Sequence, residues 1–445
     1  MIGWALLALV VTSVVASLSP NAQKRRVVPP LDPLLLQQPE RVQGKITVWG
    51  WNIAAKSLKS LVPRFNERWP NVEPDVQVSG ANLQTRFLLS LAAGTGAPDV
   101  MQLQAHETPR YVATGRLTDL TPVAGKYAKD FPAASWANCL HDGKVYAIPW
   151  DIGPCGIFYK PHIFEKYGVD AEKIETWDDF IAAGRMIVEK SGGKTMMLPL
   201  AKSQLQVMYE MLLQQLNGQV FDANGRIAIN SPQSRRVLEL IRKMLDAKIC
   251  TDVETNTYDY LAGFNADTIA TYPAAVWLGG TIKDTTGEYG SAKTEWRVLR
   301  IPAVERGGLR ISNLGGSTLA IPDQCENKEA AWAFIEYALC TREGQVAQYA
   351  NFDLFPAFLP ALKDPFFEQG DAFYSGQKVR QLFATDVDRI PVLNRTSDWV
   401  ETNIYLGQSF SAWAVEHSDT NEMLKTLAGK LHRRLGRELV EGAGR

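Results

Sequence analysis

Between Lys45 and Gln104 the hydrophobic period of the chain switches repeatedly between that of a strand and that of a helix. No other stretch constrains the fold as much. Lys45-Ile46-Thr47-Val48-Trp49-Gly50 alternates as a strand does. Ala54–Trp69 then places Leu58, Leu61, Val62, Phe65 and Trp69 on one helical face, and Pro70-Asn71 stops it. Val76–Val78 reads as a second strand, Thr85–Ala93 as a helix ended by Gly94-Thr95-Gly96, and Pro98–Leu103 as a third strand. Such alternation predicts an α/β layer around a mostly parallel sheet. Ligands of these sheets sit beyond the carboxyl ends of the strands. That rule marks Trp51 and Asn52, the stretch Gln104–Glu107, and Asp151.

At 445 residues the chain exceeds one core of ordinary size, so two domains are expected. The middle, from Phe164 to about Arg310, is largely helical, with Thr176 as N-cap of a helix opening at Trp177. Strands are expected at Thr268–Tyr272, ended by Pro273, at Trp296–Leu299, at Leu309–Ile311, and within Asn313–Pro322. A helix follows at Lys328–Leu339, and the tail is helical again.

A formal net charge of −1 gives no strong field toward nucleic acid or an acidic surface. The sequence contains no His-Glu-x-x-His, Gly-x-Ser-x-Gly, Walker A or dinucleotide Gly fingerprint, and its five His lack ligand spacing. Neither a metal nor a cofactor is expected. Five Cys match no zinc motif; Cys325 and Cys340 could pair across a folded helix, but buried free thiols are the favoured reading. Ile2–Leu18 is apolar, with Val14-Val15-Ala16 as a cleavage site, although Lys24-Arg25-Arg26 follows it rather than preceding it. A secretory signal is favoured over a short membrane anchor, with Pro20–Gln43 an unstructured leader.

Asp142-Gly143 is a tight-turn dipeptide before a strand, Val145–Ile148, whose ladder Pro149 is expected to end. Gly156–Tyr159 is a second strand running into the helix start at Pro161. In its Pro149, Asp151, Gly156, Ile157, Phe158, Tyr159, Phe164 and Lys166, this segment resembles the signature of the maltose-binding type of bacterial extracellular solute-binding proteins. Trp150 and Lys160 depart from it; a short amide or carboxylate is usual where Lys160 stands. The order of elements extends the likeness over about Gly44 to Leu439, through the Gly-Gly-strand-Ile-Pro element at 315–322, the Ala-Trp-x-Phe-Ile helix and Thr341-Arg342-Glu343-Gly344.

The resemblance implies a two-lobed α/β protein, each lobe a mostly parallel sheet flanked by helices. The expected division is a leader at 1–42, a first lobe from 43–152 plus 313–358, and a second from 153–312 plus 359–445. It implies a sugar receptor of an ABC importer in the periplasm, a monomer that closes on a disaccharide or oligosaccharide and meets a membrane permease. A lactose-like ligand fits by resemblance only. Sugar binding takes flat rings for the apolar faces and planar polar groups for the hydroxyls. The candidates are Trp51 and Asn52, Gln104 and Glu107, Asp151, and Asn313, Gly315 and Gly316 on the second crossing between lobes. Similarity adds Trp277 from the second lobe and Trp399 in the tail as stacking rings. Each has a plainer alternative: Trp51, Trp277 and Trp399 in a core, Glu107 at a helix start, Asp151 capping a turn. A polyamine or sugar-phosphate receptor, an extracellular glycoside hydrolase and a membrane-tethered interaction protein remain open.

Overall fold

The computed structural model describes residues 28–78, 80, 82–289 and 295–440; the apolar run Ile2–Leu18 lies outside them. The alternating segment folds as strand and helix in turn. β1 (Gly44–Gly50) pairs in parallel with β2 (Val72–Val78) and β3 (Val100–Gln104). The remaining strands are β4 (Leu140–His141), β5 (Lys144–Val145), β6 (Ala147–Asp151), β7 (Cys155–Tyr159), β8 (Leu198–Pro199), β9 (Cys250–Thr251), β10 (Thr271–Ala275), β11 (Arg297–Arg300) and β12 (Ser317–Ala320). The helix Asn52–Arg68 buries Leu58, Leu61 and Phe65 against the first sheet. Asp142 and Gly143 turn β4 into β5 with φ of +48° and +73°, the double positive φ that a two-residue hairpin needs.

The first sheet has the order β2-β1-β3-β12-β6, with β12 antiparallel to both neighbours. β6 runs straight through Pro149, where the sequence predicted a strand end. It is an edge strand, so the missing N–H can face away from the ladder. β10 likewise passes through Pro273 rather than ending before it. The second sheet places β7 between β10 and β11, antiparallel to both, so these three strands are antiparallel rather than mostly parallel. β8 and β9 extend it through the Met196–Ile269 bridge. Leu309–Ile311 joins no ladder. The Arg310 guanidinium holds that stretch instead, donating to the carbonyls of Ile174, Arg300 and Ile301.

Thr176 and Asp179 form a capping box on the Trp177–Ser191 helix, and the Lys328–Leu339 helix has the predicted bounds. All five Cys are free thiols. Lys160 turns inward. It is fully buried, its Nζ donates to the carbonyls of Gly263 (2.7 Å) and Ala266, and it lies 5.4 Å from the Trp296 ring centre. A long cation thus does here what a short amide could not: it spans to the far turn and caps it.

The chain crosses between the sheets at 151–155 and returns at 311–317. The two crossings are hydrogen-bonded side by side: Cys155 N–H to Ser312 O (3.0 Å), Leu314 N–H to Gly153 O (2.9 Å), and Gly153 N–H to Asn313 Oδ1 (2.8 Å). A third pass lies beside the first, with Ile152 N–H on Phe355 O at 3.1 Å. Beyond it, Phe367 packs on Tyr349 and Phe383 on Phe158, so this segment touches both layers.

Candidate functional site

The carboxyl ends of β1, β3 and β6 share one edge of the first sheet, and the start of β12 joins them because that strand runs the other way. Trp51 N–H donates to Gln102 Oε1 (3.0 Å), and Gln102 Nε2 donates to Ser317 Oγ (3.2 Å). Ser317 stands opposite both Gln104 and Asp151. Gly316 allows this convergence: its φ is +106°, and a Cβ there would stand 2.8 Å from the Asp151 carbonyl oxygen. The Asn52 side chain lies outside the described residues, although Asn52 itself opens the following helix.

Asp151 Oδ1 is sealed from solvent and has no hydrogen-bond partner. Burial pushes this carboxyl above the usual carboxylate range, and Ser317 draws it only partly back. A pKa raised in the folded state means the native protein holds this proton more tightly than the unfolded chain does. The contribution to stability is then present below the ordinary carboxylate range and is lost as pH rises through the folded value. Asp151→Asn is therefore expected to raise the melting midpoint of the ligand-free protein at neutral pH. The gain should vanish in melts run near pH 3; an equal gain at both pH values would assign it to something other than the sealed charge.

Gln104 leads into a short turn, Ala105–Glu107, pinned by Ala105 N–H on Gly316 O at 2.9 Å. Burial and the nearby Arg395 cation push the His106 imidazole down to about 4, so it is neutral at physiological pH. The Glu107 carboxyl, with 19% of its side chain exposed, is raised by burial against the pull of Arg110.

The opposite wall is built on the second sheet. Trp277 follows β10, is 41% exposed, and points its indole N–H at Leu314 O (3.4 Å) beside Gly315. Among the described residues, Trp277 is the exposed tryptophan, and Trp51 is half-buried, packed against the core around Phe87 and Tyr111. Trp399 does not join them. It is 1% exposed, packed against Phe221 at 6.3 Å and beneath the Arg395 guanidinium at 5.0 Å. It supports Arg395 rather than offering a face. Nor is the Asn313 amide free for a ligand: Oδ1 accepts from Gly153, and Nδ2 donates to Gly315 O.

Five residues of this wall escaped the sequence reading. The Leu205–Gln215 helix is buried on most sides, yet Gln206, Glu210 and Gln214 recur every fourth position, one above another. Gln214 exchanges hydrogen bonds with the Asn313 backbone (2.8 and 3.2 Å). Glu210 pairs with Arg395 at 3.1 Å, and burial raises its carboxyl against that cation. Gln206 Oε1, Asn403 Oδ1 and Arg395 Nε are sealed without partners. The Trp399–Glu416 helix that carries Asn403 reaches the Ala105–Glu107 turn of the first layer. That four-residue polar spacing within an apolar helix was the available signal. Among the described residues, no cluster of His, Cys, Asp and Glu could hold a metal ion.

Two α/β layers joined by adjacent crossings, with the exposed Trp277 ring and the sealed Asp151 oxygen beside those crossings, define a two-lobed ligand-capturing protein. The chain belongs to the family of bacterial extracellular solute-binding proteins, whose pattern matches residues 50–342. It is 23% identical over 367 residues to an arabinooligosaccharide-binding protein of Halalkalibacterium halodurans, covering 79% of this chain and 81% of that one. It is 24% identical over 411 residues to a lactose-binding protein of Rhizobium radiobacter, covering 86% and 91%. The ABC transporter associated binding protein of B. animalis subsp. lactis Bl-04, solved with beta-1,6-galactobiose, superposes with a TM-score of 0.70. It is 25% identical and covers 90% of this chain and all of its own.

Proposed function

We propose that this protein captures a disaccharide or oligosaccharide between its lobes and delivers it to an ABC-type permease. In this reading Trp51 and Trp277 take the flat faces of the sugar. Gln104, Glu107, Asp151, Gln206, Asn403 and Arg395 take its hydroxyls, and Asn313, Gly315 and Gly316 form the hinge. The lobes would be 43–152 with 313–358, and 153–312 with 359–445, the segment after Phe355 lying across both. Ligand contacts from both lobes favour the closed form, and the permease reads that form.

One observation carries the reading: polar atoms of Asp151, Gln206 and Asn403 are sealed without partners and the Trp277 ring is exposed, while the buried cation Arg395 already has a carboxylate partner. A phosphate would need unpaired cations. A polyamine would need several free carboxylates around the rings. Named relatives that bind arabinooligosaccharides and lactose support the sugar class. Thermal unfolding with a panel of arabino-, galacto- and malto-oligosaccharides, spermidine and glucose 6-phosphate tests it. A bound sugar at 100 times its dissociation constant should add about 2.7 kcal/mol of stability. A shift with spermidine or the sugar phosphate, and none with any sugar, would overturn the reading.

A further inference from the structure

The Leu278–Tyr289 helix begins directly after the exposed Trp277, and its start is packed closely against two other segments. A Cβ on Gly279 would stand 2.5 Å from Tyr374 Oη, and one on Gly280 would stand 3.5 Å from Asp353 Oδ2. One turn on, the Lys283 ammonium lies 3.5 Å from Asp353 Oδ2 and 3.4 Å from Asp371 Oδ2. Asp371 also pairs with Arg380 at 3.2 Å. The space left among these groups is about 10 Å³, at the limit of what one water molecule needs, so they meet directly and hold no ligand.

These charges come from different bodies. Asp353 ends the Arg342–Phe352 helix, which packs on the Asn52–Arg68 helix of the first layer. Lys283 follows β10 of the second sheet. The Lys283–Asp353 pair therefore spans the junction between the lobes proposed above, while Asp371 and Arg380 stay on the side of Lys283. Among the described residues, one other ion pair, Arg342–Asp364 at 3.4 Å, joins the two proposed lobes. Its guanidinium is 63% exposed, and Asp364 ends a turn, Leu359–Lys363, that packs on the helix of Arg342 itself, so the pair crosses no moving boundary. Lys283 and Asp353 are better shielded, at 28% and 40% exposure, which strengthens their attraction. The layers also touch on the ligand side, where the Trp399–Glu416 helix reaches the Ala105–Glu107 turn. The Lys283–Asp353 pair thus belongs to the drawn-together form.

We propose that Lys283 and Asp353 form an electrostatic clasp that favours the closed form and raises affinity for the captured solute without touching it. The proposal rests on the reading of two lobes that close on a sugar. Lys283 acts as a positioning residue, holding the helix behind Trp277 against the first lobe. When the lobes part, water replaces the pair, so the clasp acts on the closed form alone and its loss appears in the affinity.

Two variants test the clasp. Asp353→Asn removes the charge and keeps the backbone, because Asp353 has a φ of +54° and Asn also tolerates that region. Lys283→Met keeps an apolar stem beside the Phe373 and Tyr374 rings and leaves Asp371 with Arg380. Titration calorimetry of the full chain uses the compound of the panel above that raises the melting midpoint most. Each variant should bind it about three- to fivefold more weakly than the parent, and the double variant no more weakly than either one. Ligand-free melting midpoints should stay within about 2 °C of the parent, which a merely structural role would not allow alongside the lost affinity. Raising salt from about 20 to about 500 mM should weaken binding by the parent at least about twofold and leave Asp353→Asn unmoved. Unchanged affinity in both variants, additive losses, or equal salt dependence in Asp353→Asn and the parent overturns the clasp alone. If the compound is spermidine or glucose 6-phosphate, the sugar reading fails, and the variants judge the clasp with that compound at constant salt. Binding of no panel compound overturns the sugar-binding reading, and the clasp with it.

Discussion

Gly153→Ala is expected to destabilise the protein by about 3 kcal/mol, a large effect for the addition of one methyl group. A Cβ at this position would run into the Leu314 carbonyl oxygen and stand 3.0 Å from the Ala275 side chain. The first obstacle is backbone, and that backbone is fixed by Leu314 N–H on Gly153 O at 2.9 Å and by Gly153 N–H on Asn313 Oδ1 at 2.8 Å. Relief requires the crossings to separate, which breaks those bonds. Gly125→Ala is the control: its nearest atom is Thr121 Cγ2 at 4.0 Å, and a change within about 0.5 kcal/mol is expected. Urea denaturation measures both. A Gly153→Ala protein as stable as the parent would show that the crossings are not held at this separation.

The second large effect separates two tryptophans that the sequence treats alike. Trp277→Ala should weaken sugar binding by about 10- to 100-fold, equivalent to about 1.4–2.8 kcal/mol. It should leave the ligand-free melting midpoint nearly unchanged, because the ring is 41% exposed. Trp399→Ala should cost about 3–5 kcal/mol of stability, because its ring is buried between Phe221 and Arg395. Calorimetry and thermal melts on the two variants give opposite patterns if the assignments are right. A Trp277→Ala protein that binds normally removes that residue from the site. A Trp399→Ala protein that melts like the parent refutes its place in the core.

What could be read from the sequence was what local periodicity governs. The β1–β3 segment, the Asp142-Gly143 hairpin and the Lys328–Leu339 helix depend on near neighbours, and each has a residue pattern that states its geometry. Pro149 misled because its meaning depends on whether a strand is at an edge, which is a property of the whole sheet. Leu309–Ile311 had strand-forming residues but no partner, and Arg310 took the place of a ladder. The proposed site divides in the same way. Trp51, Gln104 and Asp151 lie at strand ends, where topology alone marks them. Gln206, Glu210, Arg395 and Asn403 lie on helices and a loop from distant parts of the chain. Only packing brings them together, and Asn313, which looked like a contact, ties the backbone instead.

Asp151 Oδ1, Gln206 Oε1, Asn403 Oδ1 and Arg395 Nε have a further consequence for an importer. Each buried polar atom without a partner costs about 1–3 kcal/mol, so lobes drawn together around nothing sit uphill. A guest that supplies the missing partners reverses that slope. On the proposed reading, vacancy is therefore silent: an unladen receptor seldom presents the shape the permease answers to, and little ATP is hydrolysed on false arrivals. The same atoms that choose the cargo would then also set the background rate of the transporter.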